Sequence, residues 1–195
     1  MKIYIDSQDC TDIVGGGSAS DILSSARRCI SQTGRVLTEI RLDDISMDEE
    51  AFSGVSGGLV VHFTSRLIHD LVLESLDEAL KYIPRLTKGL EEIALHFERN
   101  EIPAGEGKLA DGAEGLDWLL QMFQKSSALL AVDDDADGLR ELKNAISDSI
   151  SSLGIYHAEK NYFQMALCIR GKLISEIEKL SLHIQKLRNL TSSTQ

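Results

Sequence analysis

Gly57-Gly58-Leu59-Val60-Val61-His62-Phe63-Thr64-Ser65-Arg66-Leu67-Ile68-His69-Asp70-Leu71-Val72 decides how the chain is read. Leu59–Phe63 is a compact apolar run rich in β-branched residues, which predicts a buried strand. From Ser65 the apolar spacing lengthens from two to about 3.6 residues, the helical period. Leu67, Ile68, Leu71, Val72, Leu76, Ala79, Leu80 and Ile83 then trace one face of a helix. Strand signals precede this point and helix signals follow it.

Upstream, Ile3 and Ile5 alternate with Lys2, Tyr4 and Asp6, a short strand. Gly15, Gly16 and Gly17 give a turn, and Ser18-Ala19-Ser20-Asp21 has the spacing of a capping box. Ile22, Leu23, Ala26, Cys29 and Ile30 form the apolar stripe of the helix it opens, and Gly34 stands where a C-terminal cap is wanted. Val36, Thr38, Ile40 and Leu42 face one way along a second strand. Asp43-Asp44 mark a turn, and Met47–Phe52 reads as a short helical piece. Residues 1–64 therefore read β-α-β-β. The first β-α-β step predicts a parallel pair with a right-handed crossover.

Downstream, Pro84 is expected to end or kink the first helix, because proline cannot donate to the preceding turn. Leu86, Leu90, Ile93, Ala94 and Phe97 continue the pattern. Asn100–Gly112 holds Pro103, Gly105, Gly107 and Gly112 and reads as a loop. Leu116, Leu119, Leu120, Phe123 and Leu130 form the next helix; Leu139, Leu142, Ile146, Ile150 and Leu153 form another. Gly154 separates it from a long last helix, about Tyr156 to Leu190. The expected fold is α+β: a small β-α-β-β unit, residues 1–64, docked on an antiparallel bundle of four or five helices, residues 65–195, the two sharing one core.

The 195 residues are 43 % hydrophobic and 26 % charged, a globular composition, with a formal net charge of −11. A negative surface opposes nucleic-acid phosphates. No apolar run approaches the roughly 20 residues of a bilayer span, and Met1–Asp6 lacks the apolar stretch of a signal peptide. Cys10, Cys29 and Cys168 are an odd number without a C-x-x-C pair, which fits a reducing compartment. A cytoplasmic protein without cofactor, nucleic-acid partner or membrane partner is expected. Charge is uneven: residues 155–195 hold six bases and three acids, against nine bases and 18 acids in residues 65–154. The basic last helix suits either its own acidic bundle or an acidic partner.

The candidate chemistry is thin. Gly15–Ser20 lies where a phosphate loop lies, but no lysine stands near and Ser20 replaces the third glycine of the dinucleotide fingerprint, so a βα turn is the better reading. Asp133, Asp135, Asp137 and Gly138 match positions 1, 3, 5 and 6 of a calcium loop. Position 12 is Asn144 rather than the bidentate Glu, so they are weak calcium candidates at most. His62, His69, His96, His157 and His183 share no metal-ligand spacing, and His62 reads as a hydrogen-bonded core residue. Glu91-Glu92 and Asp48-Glu49-Glu50 read as solvated faces. No catalytic residue and no firm metal ligand is assigned.

The strongest signal is a heptad seam: Leu173, Ile177, Leu180, Ile184 and Leu187 step by four and three. Ile169, Ile174 and Leu190 widen it, which suits a bundle core; a partner or a second copy of the chain is the other reading. Leu129, Leu130 and Val132 form a further apolar cluster beside a loop.

Two stretches resemble uncharacterised bacterial proteins. Gly34-Arg35-Val36-Leu37-Thr38-Glu39-Ile40-Arg41-Leu42-Asp43 resembles their GRV-x-T-x-x-x-x-D strand near the N-terminus. Ala158-Glu159-Lys160-Asn161-Tyr162-Phe163-Gln164-Met165-Ala166 is similar to a K-[DN]-Y-x-x-[AL]-A-D helix start in the same proteins, with Cys168 and its neighbours in place of the acidic residues that follow. This resemblance implies no function. The helical half is also similar to small flagellar export chaperones in shape and acidity alone.

The expected function is non-enzymatic: an interaction or chaperone-like protein that binds a protein partner, or itself as a homodimer, through the apolar face of Leu173, Ile177, Leu180, Ile184 and Leu187. One alternative is a small enzyme with a site at the junction of the halves, near His62, His69 and Gly15–Gly17. Another is a weak calcium-responsive module.

Overall fold

The computed structural model describes residues 1–130 and 138–192. The chain divides into two compact units, Met1–Leu71 and Val72–Gln195, and its architecture is α+β.

In the first unit β1 (Lys2–Ile5), β2 (Gln8–Asp9), β3 (Arg35–Leu42), β4 (Ile45–Met47) and β5 (Val60–Leu67) form one sheet in the order β2-β1-β5-β3-β4. Helices α1 (Thr11–Val14), α2 (Ala19–Ser31) and α3 (Glu49–Ser53) accompany it. β1 and β3 are not the parallel neighbours expected from a β-α-β step. β5 lies between them, parallel to β1 and antiparallel to β3. The most apolar strand thereby takes the centre, where both of its edges are paired and its inner face is buried. Val61 and Phe63 join Ile3, Ile40, Phe52 and the α2 stripe in the core.

Two short strands escaped the sequence pattern. β1–β2 and β3–β4 are hairpins whose turns are Asp6-Ser7 and Asp43-Asp44, each with positive φ at both central residues. Asp tolerates that conformation better than most residues, and this turn matches the natural twist of the strands. The Ser18–Asp21 capping box is present, with the Ser18 hydroxyl accepting from Asp21 N and the Asp21 carboxylate accepting from Ser18 N. Gly34 takes φ +68° in the turn before β3.

The second unit is built from α4 (Ile68–Glu98, whose first turn lies before Val72), α5 (Ile102–Leu129), α6 (Leu139–Ala158) and a last rod. That rod comprises α7 (Tyr162–Cys168), a π-helical turn over Ile169–Leu173, and α8 (Ile174–Ser192). Pro84 lies inside α4, not at its end. Ala79, Ile83, Leu86 and Leu90 are buried on either side of it, and their packing outweighs the one backbone hydrogen bond that proline removes. Asn100–Gly112 is not a loop either: α5 begins at Ile102, with Pro103 in its first turn, where a missing N–H costs nothing. Gly105 and Gly112 serve close packing against α4. A β-carbon at Gly105 would lie 2.4 Å from the Phe97 ring, and one at Gly112 would lie 2.9 Å from Ile93 Cδ1. α6 runs through Gly154 to Ala158.

The basic last rod lies against its own acidic bundle. Arg170 Nε donates to Glu91 (2.8 Å) and its Nη1 to Glu98 (2.6 Å), while Arg188 Nε donates to Asp77 (2.8 Å). These pairs set the rod antiparallel to α4.

Candidate functional site

The α4–α5 pair carries a surface groove. α4 contributes Glu78, Lys81, Tyr82 and Arg85, and α5 contributes Asp111, Glu114, Gly115 and Trp118. Each set follows the same i, i+3, i+4, i+7 spacing, steps of three, one and three, which places all four residues on one face of its helix. Together they line a cleft of about 500 Å³. A second cleft of about 350 Å³ adjoins it, sharing Tyr82, Arg85 and Asp111 and continuing past Leu86, Gly89, Ile93, Lys108 and Gly112.

Glycine makes the groove. A β-carbon at Gly115 would come 1.9 Å from the Tyr82 hydroxyl, so only glycine lets the Tyr82 phenol lie across α5. Tyr82 is thereby held edge-on to Trp118, ring centroids 5.1 Å apart and planes at 76°, a favourable quadrupolar arrangement. The Arg85 guanidinium carbon lies 5.4 Å from the Tyr82 centroid, on the other aromatic contact. Trp118 remains 41 % exposed. Lys108 and Glu92 form an ion pair beside the second cleft. The lining offers aromatic surface, a guanidinium, lysine amines and carboxylates.

The heptad residues are elsewhere. Leu173, Ile177, Leu180, Ile184 and Leu187 are all buried within one chain, Ile177 and Ile184 completely. Their side chains fill the helical unit and leave no surface to offer while it stays folded. Leu129 is exposed and Leu130 half-buried; Val132 and the calcium candidates Asp133, Asp135 and Asp137 lie outside the described residues.

The histidines stay apart. His62 is not in the core: it faces away from Val61 and Phe63, half-buried, stacked on Tyr4 with centroids 4.9 Å apart. The strand alternation that buries Val61 and Phe63 turns position 62 outward. His69 lies 3.5 Å from Asp70, and His96 Nδ1 lies 2.6 Å from Glu101. Among the described residues no three His, Cys, Asp or Glu side chains gather as a metal site. At the glycine turn the α2 N-terminus already holds an anion, the Asp21 carboxylate. Hydrogen bonds from Ser18 keep that carboxyl below its ordinary pKa.

One polar network gave no signal in sequence. Asp6 accepts from Ser65 N (2.7 Å) and from the Ser65 hydroxyl, while Arg35 donates to Ser65 Oγ (2.7 Å) and Ser65 O (2.8 Å). It ties the β1–β2 turn, β5 and β3 together beside a cleft that Cys10 and Cys29 also line. The partners are 30 and 59 residues apart, beyond any local pattern.

A family model described as a domain of unknown function (DUF8042) matches residues 74–183, more than half of the chain, and the chain belongs to that family. The matched stretch contains the whole α4–α5 groove and the Ala158–Ala166 motif; it begins after the Gly34–Asp43 motif. Neither the curated proteins nor the solved structures contain a match.

Proposed function

We propose that this family member is a non-enzymatic, chaperone-like interaction protein of the cytoplasm, and that its helical unit takes a protein partner against the α4–α5 face. The observation that carries the reading is the exposed Trp118, braced edge-on by Tyr82, with Arg85 beside it in a glycine-cut groove. Trp, Tyr and Arg dominate binding energy at protein interfaces, because each offers much contact area for few rotatable bonds or several fixed donors. The groove supports this reading because it combines exposed aromatic surface with charged groups, whereas the heptad seam is filled by the chain itself.

The test is affinity capture from native extract with wild-type, Trp118→Ala and Arg85→Glu chains, all checked for folding by circular dichroism. A partner retained by wild type and lost by both variants supports the reading. Equal recovery on all three removes it. Trp118 is the chain's single tryptophan, so its emission reports engagement directly once a partner is in hand.

A further inference from the structure

The outer edge of β3 is open along half its length. β4 pairs only with Ile40, Arg41 and Leu42, whereas β5 pairs with β3 from Arg35 onward. Residues 35–39 therefore have a strand on one side and, among the described residues, none on the other. A β-bulge in the β3–β5 ladder between Leu37 and Glu39, with the Thr38 hydroxyl donating to Thr64 O, adds twist there. An open edge presents unpaired backbone donors and acceptors, which a further strand satisfies.

A cleft of about 470 Å³ runs beside this edge, lined by Arg27, Arg28, Ile30 and Ser31 from α2 and by Arg35, Val36 and Leu37 from β3. Its lining carries three arginines and no acid, on a chain whose net charge is −11. Arg27 is tied to Glu49, and Arg35 to Asp6 and Ser65. Arg28 is exposed in the last turn of α2 and makes no ion pair among the described residues.

We infer that this edge is a strand-addition site for an extended acidic segment of a partner protein. The backbone of Arg35–Thr38 pairs with the incoming strand. Val36 and Leu37 contact its apolar side chains, and Arg28 faces its carboxylates. Five extended residues span about 17 Å, so the segment is short. A lining whose charged residues are all arginines selects an acidic sequence, which the otherwise acidic surface of the chain repels elsewhere.

The experiment uses the full chain and fluorescein-labelled short peptides that alternate glutamate and valine. Fluorescence anisotropy is expected to show binding that Arg28→Glu weakens by about tenfold or more. The same peptide N-methylated at alternate backbone positions should not bind, because methylation removes the donors a strand needs. Hydrogen exchange in the complex should slow at residues 35–39 and leave Ile40–Leu42 unchanged. The inference is overturned if the glutamate–valine peptide fails to bind at millimolar concentration. Equal binding by the N-methylated or a lysine–valine peptide would overturn it as well, as would equal competition by oligothymidylate.

Discussion

The Tyr82 hydroxyl occupies the space that a β-carbon at position 115 would fill, 1.9 Å from the place where that carbon would be built. The contact fixes how closely α5 approaches α4 and hence where Trp118 stands. Gly115→Ala is expected to destabilise the chain by about 1–3 kcal/mol through overpacking and to shift Trp118 emission as Tyr82 is displaced. Gly89 is the comparison: it lies mid-helix in α4 with nothing near its added carbon, so Gly89→Ala should stabilise by about 0.5–1 kcal/mol. Urea denaturation followed by circular dichroism measures both, and a neutral Gly115→Ala would refute the steric argument.

Ile177 and Ile184 are fully buried in a single chain. Ile184→Asp places a carboxylate among packed aliphatic groups, and a loss of more than about 3 kcal/mol is expected. Circular dichroism should show unfolding. A folded chain of halved mass by light scattering would instead mean that this seam joins two copies.

Tyr162 donates to Glu106 Oε1 at 2.7 Å, and this hydrogen bond to a carboxylate raises the phenol's pKa above its ordinary value. A raised folded-state pKa stabilises the fold fully below the unfolded value, about 10 for a phenol, and the contribution disappears as pH rises through the folded value. Ultraviolet titration should find one late-ionising tyrosine in the wild type and none in Glu106→Gln. Tyr162→Phe should lose less stability than the wild type between neutral and strongly alkaline pH.

Cys168 is buried and its thiol donates to Ser149 O at 3.7 Å, while burial pushes its pKa up. Cys10 and Cys29 are half-buried. Thiolate is the reactive form, so Ellman's reagent should modify Cys10 and Cys29 in the folded protein and reach Cys168 after denaturation. Fast modification of all three would contradict this packing.

The readable features were those encoded within a few residues. The Ser18–Asp21 box, the change of period at Ser65 and the Asp43-Asp44 turn are local, because capping, alternation and turn chemistry act over less than about two helical turns. Gly105 and Gly112 look like loop markers in sequence for the same reason. Their role is set by Phe97 and Ile93 on another helix, which composition cannot register.

The sequence by itself determined that strands come first and helices after, where α2 begins, and that the Leu173–Leu187 ridge is apolar. Tertiary structure alone decided that β5 enters between β1 and β3, that Arg170 and Arg188 turn inward to the acids of α4, and that Trp118 meets Tyr82. The physical reason is range. Backbone preferences act between near neighbours, while strand order, ion pairing and the α4–α5 groove depend on which distant surfaces bury the most apolar area together.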